Sequence, residues 1–128
     1  MVLSSCSNGE IISPGKIAKF PATKTVYGIS DIHGFRTSGK FVCELSGVYL
    51  FSVHIMSQSN NAIYQMLKNN MALTHVFVIF TSDTGLHYNT GTGVMAVQLN
   101  VGDTLYVKVG TNMYIQGSYS CMTVIKIR

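Results

Sequence analysis

The stretch GKFVCELSGVYLFSVHIM, residues 39–56, decides the fold class. Its apolar residues are mostly Val, Ile, Tyr and Phe, and Ser46 and Gly47 interrupt it, which is the punctuation of strands and turns rather than a helical period. Tyr49, Phe51, Val53 and Ile55 recur at every second position and build one apolar strand face. Val48 and Leu50 make the opposite face apolar too, whereas an antiparallel strand with one wet face alternates cleanly. The C-terminal stretch repeats this pattern, with Ile125 and Ile127 on one face and Met122 and Val124 on the other. Such two-sided strands are either central and partly covered by loops, or buried against another subunit.

Working outward, strands are also expected at 25–29, 62–68, 73–80, 92–99, 104–110, 113–117 and 119–127, with turns at LKNNM, LNVGDT and GTNM. No segment carries a helical period. Some nine closely spaced strands predict an all-β fold, an antiparallel two-sheet jelly-roll sandwich. The 128 residues amount to one domain. A chain of this size buries roughly two thirds of its unfolded surface, so its 47% hydrophobic content suffices for one ordinary core. The absence of an apolar run of about 18 residues argues against a membrane span. The opening MVLSSCSNGE lacks the basic start and apolar stretch of a signal peptide, so the chain reads as intracellular or as a mature form.

The formal charge is +4, but only 11% of residues are charged and no basic run exceeds isolated lysines, with Lys16, Lys19 and Lys24 nearest to a cluster. A nucleic-acid partner, which calls for a dense basic stripe with aromatics, is not expected. Cys6, Cys43 and Cys121 are odd in number and lack a C-x-x-C spacing, so neither a zinc site nor a disulfide framework is indicated. Cys43 and Cys121 lie in apolar stretches and read as free buried residues, and Cys6 in a polar terminal segment as the one candidate for an intermolecular bridge.

Phe41, Gly47, Tyr49 and Phe51 match the spacing F-x5-G-x-Y-x-F, and residues 39–55 resemble the central block of the globular C1q domain family, the heads of complement C1q and of adiponectin-like proteins. Cys43 stands where many adiponectin-like members carry a cysteine. TGVMAVQLNVGDTLYVKV, residues 92–109, resembles a second family block through Gly93, Leu99, Gly102, Asp103 and Val107, and GSYSCMTVIKIR the family's ending. The resemblance runs from Phe20 to Arg128, which divides the chain into an N-terminal segment, 1–19, and a C1q-like domain, 20–128. Val53 in place of an aromatic residue, Cys121 in place of Gly and Met122 in place of Phe mark a divergent member, and without a Gly-X-Y repeat it reads as head-only. The resemblance implies a C1q/TNF-like jelly roll, a homotrimer, secretion and action by binding rather than catalysis.

One stretch points elsewhere. SDIHG, residues 30–34, looks like the opening block of the calcineurin-like metallophosphoesterases. Such an enzyme needs some seven N and O ligands from several loops around two metals. Here GDTLY ends in Tyr106 where Asp is required, GNH is absent, and the chain holds five acidic residues in all. Asp31 and His33 therefore read as loop or strand-edge residues. No nucleophile elbow or H-x-E signature appears. Asp31, Asp83 and Asp103 are too scattered in sequence for a calcium site. No catalytic residue, metal or cofactor is expected.

The loops remain. Consecutive strands running up and down would gather 57–61, 81–91 and 110–112 at one end of the sandwich, and 68–70, 100–103 and 117–118 at the other. The first end offers Asn60, Asn61, His87, Tyr88, Asn89, Thr90 and Asn112, the neutral amides, hydroxyls and rings that contact sugars. His87 and Tyr88 are the expected stacking pair. The sequence thus predicts a secreted C1q-domain lectin of innate immune pattern recognition, a homotrimer binding cell-surface carbohydrate with sialic acid the leading ligand. The alternative is a cytokine- or adiponectin-like ligand that engages a protein receptor through trimer grooves.

Overall fold

The computed structural model describes residues 1–78 and 88–128. Among these, the elements run β1 (Val2–Cys6), β2 (Glu10–Ile12), β3 (Ala22–Tyr27), α1 (Ile32–Ser38), β4 (Phe41–Val42), β5 (Gly47–Ser57), β6 (Ile63–Lys68), β7 (Met71–Phe77), β8 (Asn89–Leu99), β9 (Thr104–Val109), β10 (Met113–Ile115) and β11 (Cys121–Lys126). They form a five-stranded sheet, β3-β1-β11-β5-β8, a four-stranded sheet, β4-β9-β6-β7, and a small β10-β2 pair. Every pairing is antiparallel, and the two large sheets face each other as a jelly-roll sandwich.

The 39–56 stretch divides between the sheets. Its first part becomes β4 of the smaller sheet, and its second part, β5, lies in the interior of the larger one between β11 and β8. Along β5, Tyr49, Phe51, Val53 and Ile55 are fully buried and meet Tyr64, Met66, Leu105 and Val107 of the opposite sheet. Burying each such side chain contributes about 1.5–3 kcal/mol. The Tyr64 hydroxyl lies 3.1 Å from the Val53 carbonyl and 2.8 Å from that of Gly91, so β6 donates its single phenolic proton across the core to the other sheet. Burial pushes that phenol up from its ordinary pKa. Gly93 marks where β8 comes closest to the opposite sheet: a Cβ there would stand 2.4 Å from Met66 Sδ and 2.9 Å from Val76 Cγ2. A Cβ on Gly47 would stand 2.3 Å from the Arg128 carbonyl oxygen, which accepts from Val48 N at 2.8 Å.

On the outer face of β5, Val48, Leu50, Ser52, His54 and Met56 are half-buried. Cross-strand register aligns Tyr27, Val2, Ile125, Leu50 and Ala96 in one row and Thr25, Ser4, Thr123, Ser52 and Val94 in the next. Neither row contains a charged residue. Ser4 and Thr123 bond each other at 3.0 Å, which leaves this face with little appetite for water.

Three features depart from the sequence expectations. The first nineteen residues, given no strand, supply β1 and β2, and β1 is an interior strand between β3 and β11. Its alternation of small hydroxyls and apolar residues, VLSSC, was too short and polar to show a period. Register places Cys6 directly opposite Cys121, and the two form a disulfide, so the expected free Cys121 and intermolecular Cys6 are corrected. Cys43 is the odd cysteine, free and buried as expected. Finally, the SDIHG stretch opens a helix where none was expected: Asp31 precedes α1 and caps it by accepting from Gly34 N at 2.9 Å, and Gly39, at φ 78°, ends it. His33 is therefore helical rather than a loop or strand-edge residue.

Candidate functional site

The turn from β5 to β6 crosses from one sheet to the other, and the ends of β8 and β9 meet it there. Ser57 pairs with Asn89, Met56 with Thr90, and Gly110 N donates to the Ile63 carbonyl at 2.9 Å. Residues 57–61, 88–90 and 110–112 therefore share one end of the sandwich.

Small hydroxyls hold this end together. Ser57 Oγ accepts from Ser59 N at 3.1 Å, Ser59 Oγ from Tyr114 N at 3.0 Å, Thr111 Oγ1 from Ile63 N at 3.3 Å and Ser120 Oγ from Met56 N at 3.0 Å. Short side chains with both donor and acceptor capacity suit this stapling of backbone. The longer amides are left over. Asn60, Asn61, Asn89 and Asn112 and the Thr90 hydroxyl are exposed, and none makes a side-chain hydrogen bond among the described residues. Asn61 holds the left-handed backbone of its turn at φ 56°. His87 lies outside the described residues, so its expected pairing with Tyr88 is not described.

Tyr88 has a different companion. It lines a shallow hollow of about 390 Å³ with Met56, Gln116 and Tyr119, and the two tyrosines are 57% and 59% exposed. Loop 117–118 thus belongs to the same end as the asparagines, not the opposite one. Gln116 N donating to the Met56 carbonyl at 2.9 Å fixes it there. Consecutive strands do not alternate between the two ends here, because β10 has three residues and does not cross the sandwich. Tyr119 and Gln116 were thereby missed, although a Tyr in a Gly-Ser-Tyr-Ser loop was a legible signal.

At the former metallophosphoesterase stretch, α1 borders a hollow of about 460 Å³ with Ile29, Phe35, Phe41 and Val42 on its walls. Its carboxylates are engaged: Asp31 caps the helix, and Glu44 accepts from the backbone and hydroxyl of Ser30, bonds that hold it below the usual carboxylate pKa. Among the described residues no three His, Cys, Asp or Glu side chains gather as a metal site. Nor is any described helix long and apolar enough to cross a membrane.

This geometry has relatives. Curated proteins similar to the chain include the Homo sapiens "Complement C1q and tumor necrosis factor-related protein 9B", 27% identical over 99 residues, covering 73% of this chain and 28% of that protein. Another is the Rattus norvegicus "Complement C1q tumor necrosis factor-related protein 5", 32% identical over 83 residues, covering 65% and 33%. The chain spans about a third or less of the length of these relatives. Among solved structures, the globular domain of zebrafish complement 1qA protein superposes with a TM-score of 0.77 at 13% identity, over 99% of this chain and 97% of that one. The Eiger TNF from S. frugiperda does so with 0.70 at 17%, over 100% and 92%. At such identities these two show a shared fold alone. The family model described as the C1q domain matches residues 23–124, and with it the chain belongs to the C1q domain family, a family of non-enzymatic ligand-binding domains.

Proposed function

We propose that this chain is a secreted, trimeric recognition head that binds cell-surface carbohydrate in innate immune pattern recognition, with sialic acid as the leading ligand. The observation that carries it is the pair of exposed rings, Tyr88 and Tyr119, flanking a hollow beside four unengaged asparagine amides. Such rings stack on a pyranose face while amides meet its hydroxyls. Among the described residues no Lys or Arg lines the hollow, so a sugar carboxylate would be met by amide and backbone N–H groups. A handful of neutral hydrogen bonds at about 0.5–1.5 kcal/mol net each gives weak single-site binding, which three sites on one trimer raise by avidity. The uncharged outer rows of the five-stranded sheet support burial against neighbouring subunits. The Cys6–Cys121 disulfide supports an oxidising, extracellular setting.

The test is a glycan array followed by binding to cells with and without neuraminidase treatment. Tyr88→Ala combined with Tyr119→Ala should abolish binding and leave oligomeric state and melting temperature unchanged. Equal binding to desialylated cells rules out sialic acid as the ligand, and normal binding by the double variant moves the site elsewhere.

A second reading, an adipokine-like ligand for a protein receptor, is favoured by the curated relatives and by exposed apolar residues at the opposite end. Val42, Leu45 and Val101 are 51%, 56% and 68% exposed, and Gly102 N bonding the Cys43 carbonyl at 2.8 Å draws them together. Val42→Asp with Val101→Asp would then abolish cell binding that survives both neuraminidase and the tyrosine changes.

A further inference from the structure

Lysines that stand isolated in the sequence converge along one edge of the four-stranded sheet. Residues 15–18 continue that edge beyond β4, with Gly15 N donating to the Val109 carbonyl and Ala18 N to that of Val107, both at 2.9 Å, and Val109 N to that of Lys16 at 3.1 Å. Ile17 sits opposite Lys108 as a bridge partner, which brings Lys16 and Lys19 alongside β9. Lys108 is two residues from Tyr106 and shares its strand face, roughly 7 Å away. The Lys40 ammonium lies 5.0 Å from the centre of the Tyr106 ring. Beside them a groove of about 490 Å³ is lined by Lys16, Lys19, Ser13 and Ser38, with Glu10 as its only acid among the described residues. That carboxylate is turned to the backbone, accepting from Lys19 N at 3.3 Å.

Among the described residues, none of these four lysines has a carboxylate within 4.0 Å. The single ion pair among the described residues is Lys68 with Asp103, elsewhere in the fold. Four unpaired cations along one edge of a chain with only five acids form a local positive potential well above what +4 spread evenly would give.

We infer that this edge, lined by Lys16, Lys19, Lys40 and Lys108, binds a linear sulfated polysaccharide, at a site separate from the Tyr88–Tyr119 hollow. The cations are strung along a strand edge rather than focused on one point, which matches an anion repeated along a chain better than a single phosphate. Lysine ammonium groups on flexible stems neutralise such charges without demanding one geometry. Single-stranded nucleic acid, the other common polyanion, needs rings free for base stacking. Tyr106 is only 6% exposed, with Lys40 over it.

The experiment is chromatography on immobilised heparin with a sodium chloride gradient. The wild-type protein should be retained well above the physiological ionic strength of about 0.15 M. A K16Q/K19Q/K108Q variant, with an unchanged melting temperature, should elute near that point and bind soluble heparin about tenfold more weakly or worse. A charge-matched K24Q/K126Q/R128Q variant, altered around the five-stranded sheet, should stay close to wild type. Desulfated heparin should fail to retain the protein, and the tyrosine double variant should be retained normally. Release of wild type at 0.15 M, equal shifts in both lysine-depleted variants, or competition by DNA as strong as that by heparin would overturn the inference.

Discussion

The two ends of the sandwich are built from loops of similar composition and use their polar groups in opposite ways. At one end Asn69, in left-handed backbone at φ 54°, donates to Asp103 Oδ1 at 3.1 Å and accepts from Thr104 N at 2.9 Å. Asp103 also accepts from Asn100 N at 2.8 Å, and its carbonyl accepts from Cys43 N at 2.8 Å. The Asn69 amide and the Asp103 carboxylate are spent on holding three loops together, while the neighbouring Asn70 and Asn100 amides stay exposed without a side-chain bond among the described residues. At the other end Ser57, Ser59, Thr111 and Ser120 do the holding, and the asparagines project unbonded into solvent. A polar loop is therefore no index of a binding site; what counts is which polar atoms the fold has left unused.

The largest expected effect tests the platform of the open end. Cys121 follows the 116–120 loop directly, and its disulfide closes nearly the whole chain. Cys6→Ala with Cys121→Ala should cost about 2–4 kcal/mol, read by denaturant unfolding. Hydrogen exchange should rise at residues 116–120 before it rises at 100–104. Uniform loosening would erase the distinction between the ends.

At the closed end, Asn69→Gly keeps the left-handed backbone and removes only the side-chain bonds, so a loss of about 1–2 kcal/mol is expected in chemical denaturation. Asn69→Ala should lose more, because a Cβ strains that conformation. A loss no larger than that at an exposed control site would mean the network contributes nothing.

Acid should also act at the closed end. The Asn100 N–H above all, then the Asn69 amide and Lys68, hold the Asp103 carboxyl below its ordinary pKa. A carboxylate depressed in the folded state contributes stability above its unfolded pKa, about 3.9, and loses it as pH falls through the lower folded value. Melting temperature followed from pH 5 to pH 2 should therefore fall less steeply in Asp103→Asn than in wild type. Parallel slopes would show that Asp103 is not the group responsible.

The smallest effects on stability belong to the open end. Asn60→Ala and Asn112→Ala should change stability by less than about 0.5 kcal/mol while weakening binding to a glycan-coated surface. Should either variant unfold measurably earlier with binding intact, its amide is structural after all, and the contrast between the ends fails at that position.

Much of the fold was legible in the sequence because the core strands obey one strong rule. Tyr49, Phe51, Val53 and Ile55 are buried as their spacing requires, and all nine expected strands are present with shifted bounds. What was not legible depends on distance or brevity. Cys6 and Cys121 are separated by 115 positions, and only the β1–β11 register puts them face to face. The helix α1 has seven residues with Phe35 alone buried, too few for an amphipathic period to emerge. Of the expected site residues, the asparagines, Tyr88 and Thr90 do fall at one end. Tyr119 joins them only because β10 is too short to carry the chain across.

The Cys6–Cys121 bridge also determines how the domain meets mechanical load. Met1 and Lys126 lie side by side, Lys126 N donating to the Met1 carbonyl at 3.0 Å, so tension between the two termini peels β1 from β11 one pair at a time, like a zipper. The peeling stops at the disulfide. Only a handful of residues on each side can be drawn out, roughly 40 Å of slack at about 3.5 Å per residue. Residues 7–120, with both loop ends and the lysine edge, lie outside the covalent path that carries the force. The cost of the slack is borne by the sheet, because Leu3, Met122 and Val124 of the core leave with β1 and β11.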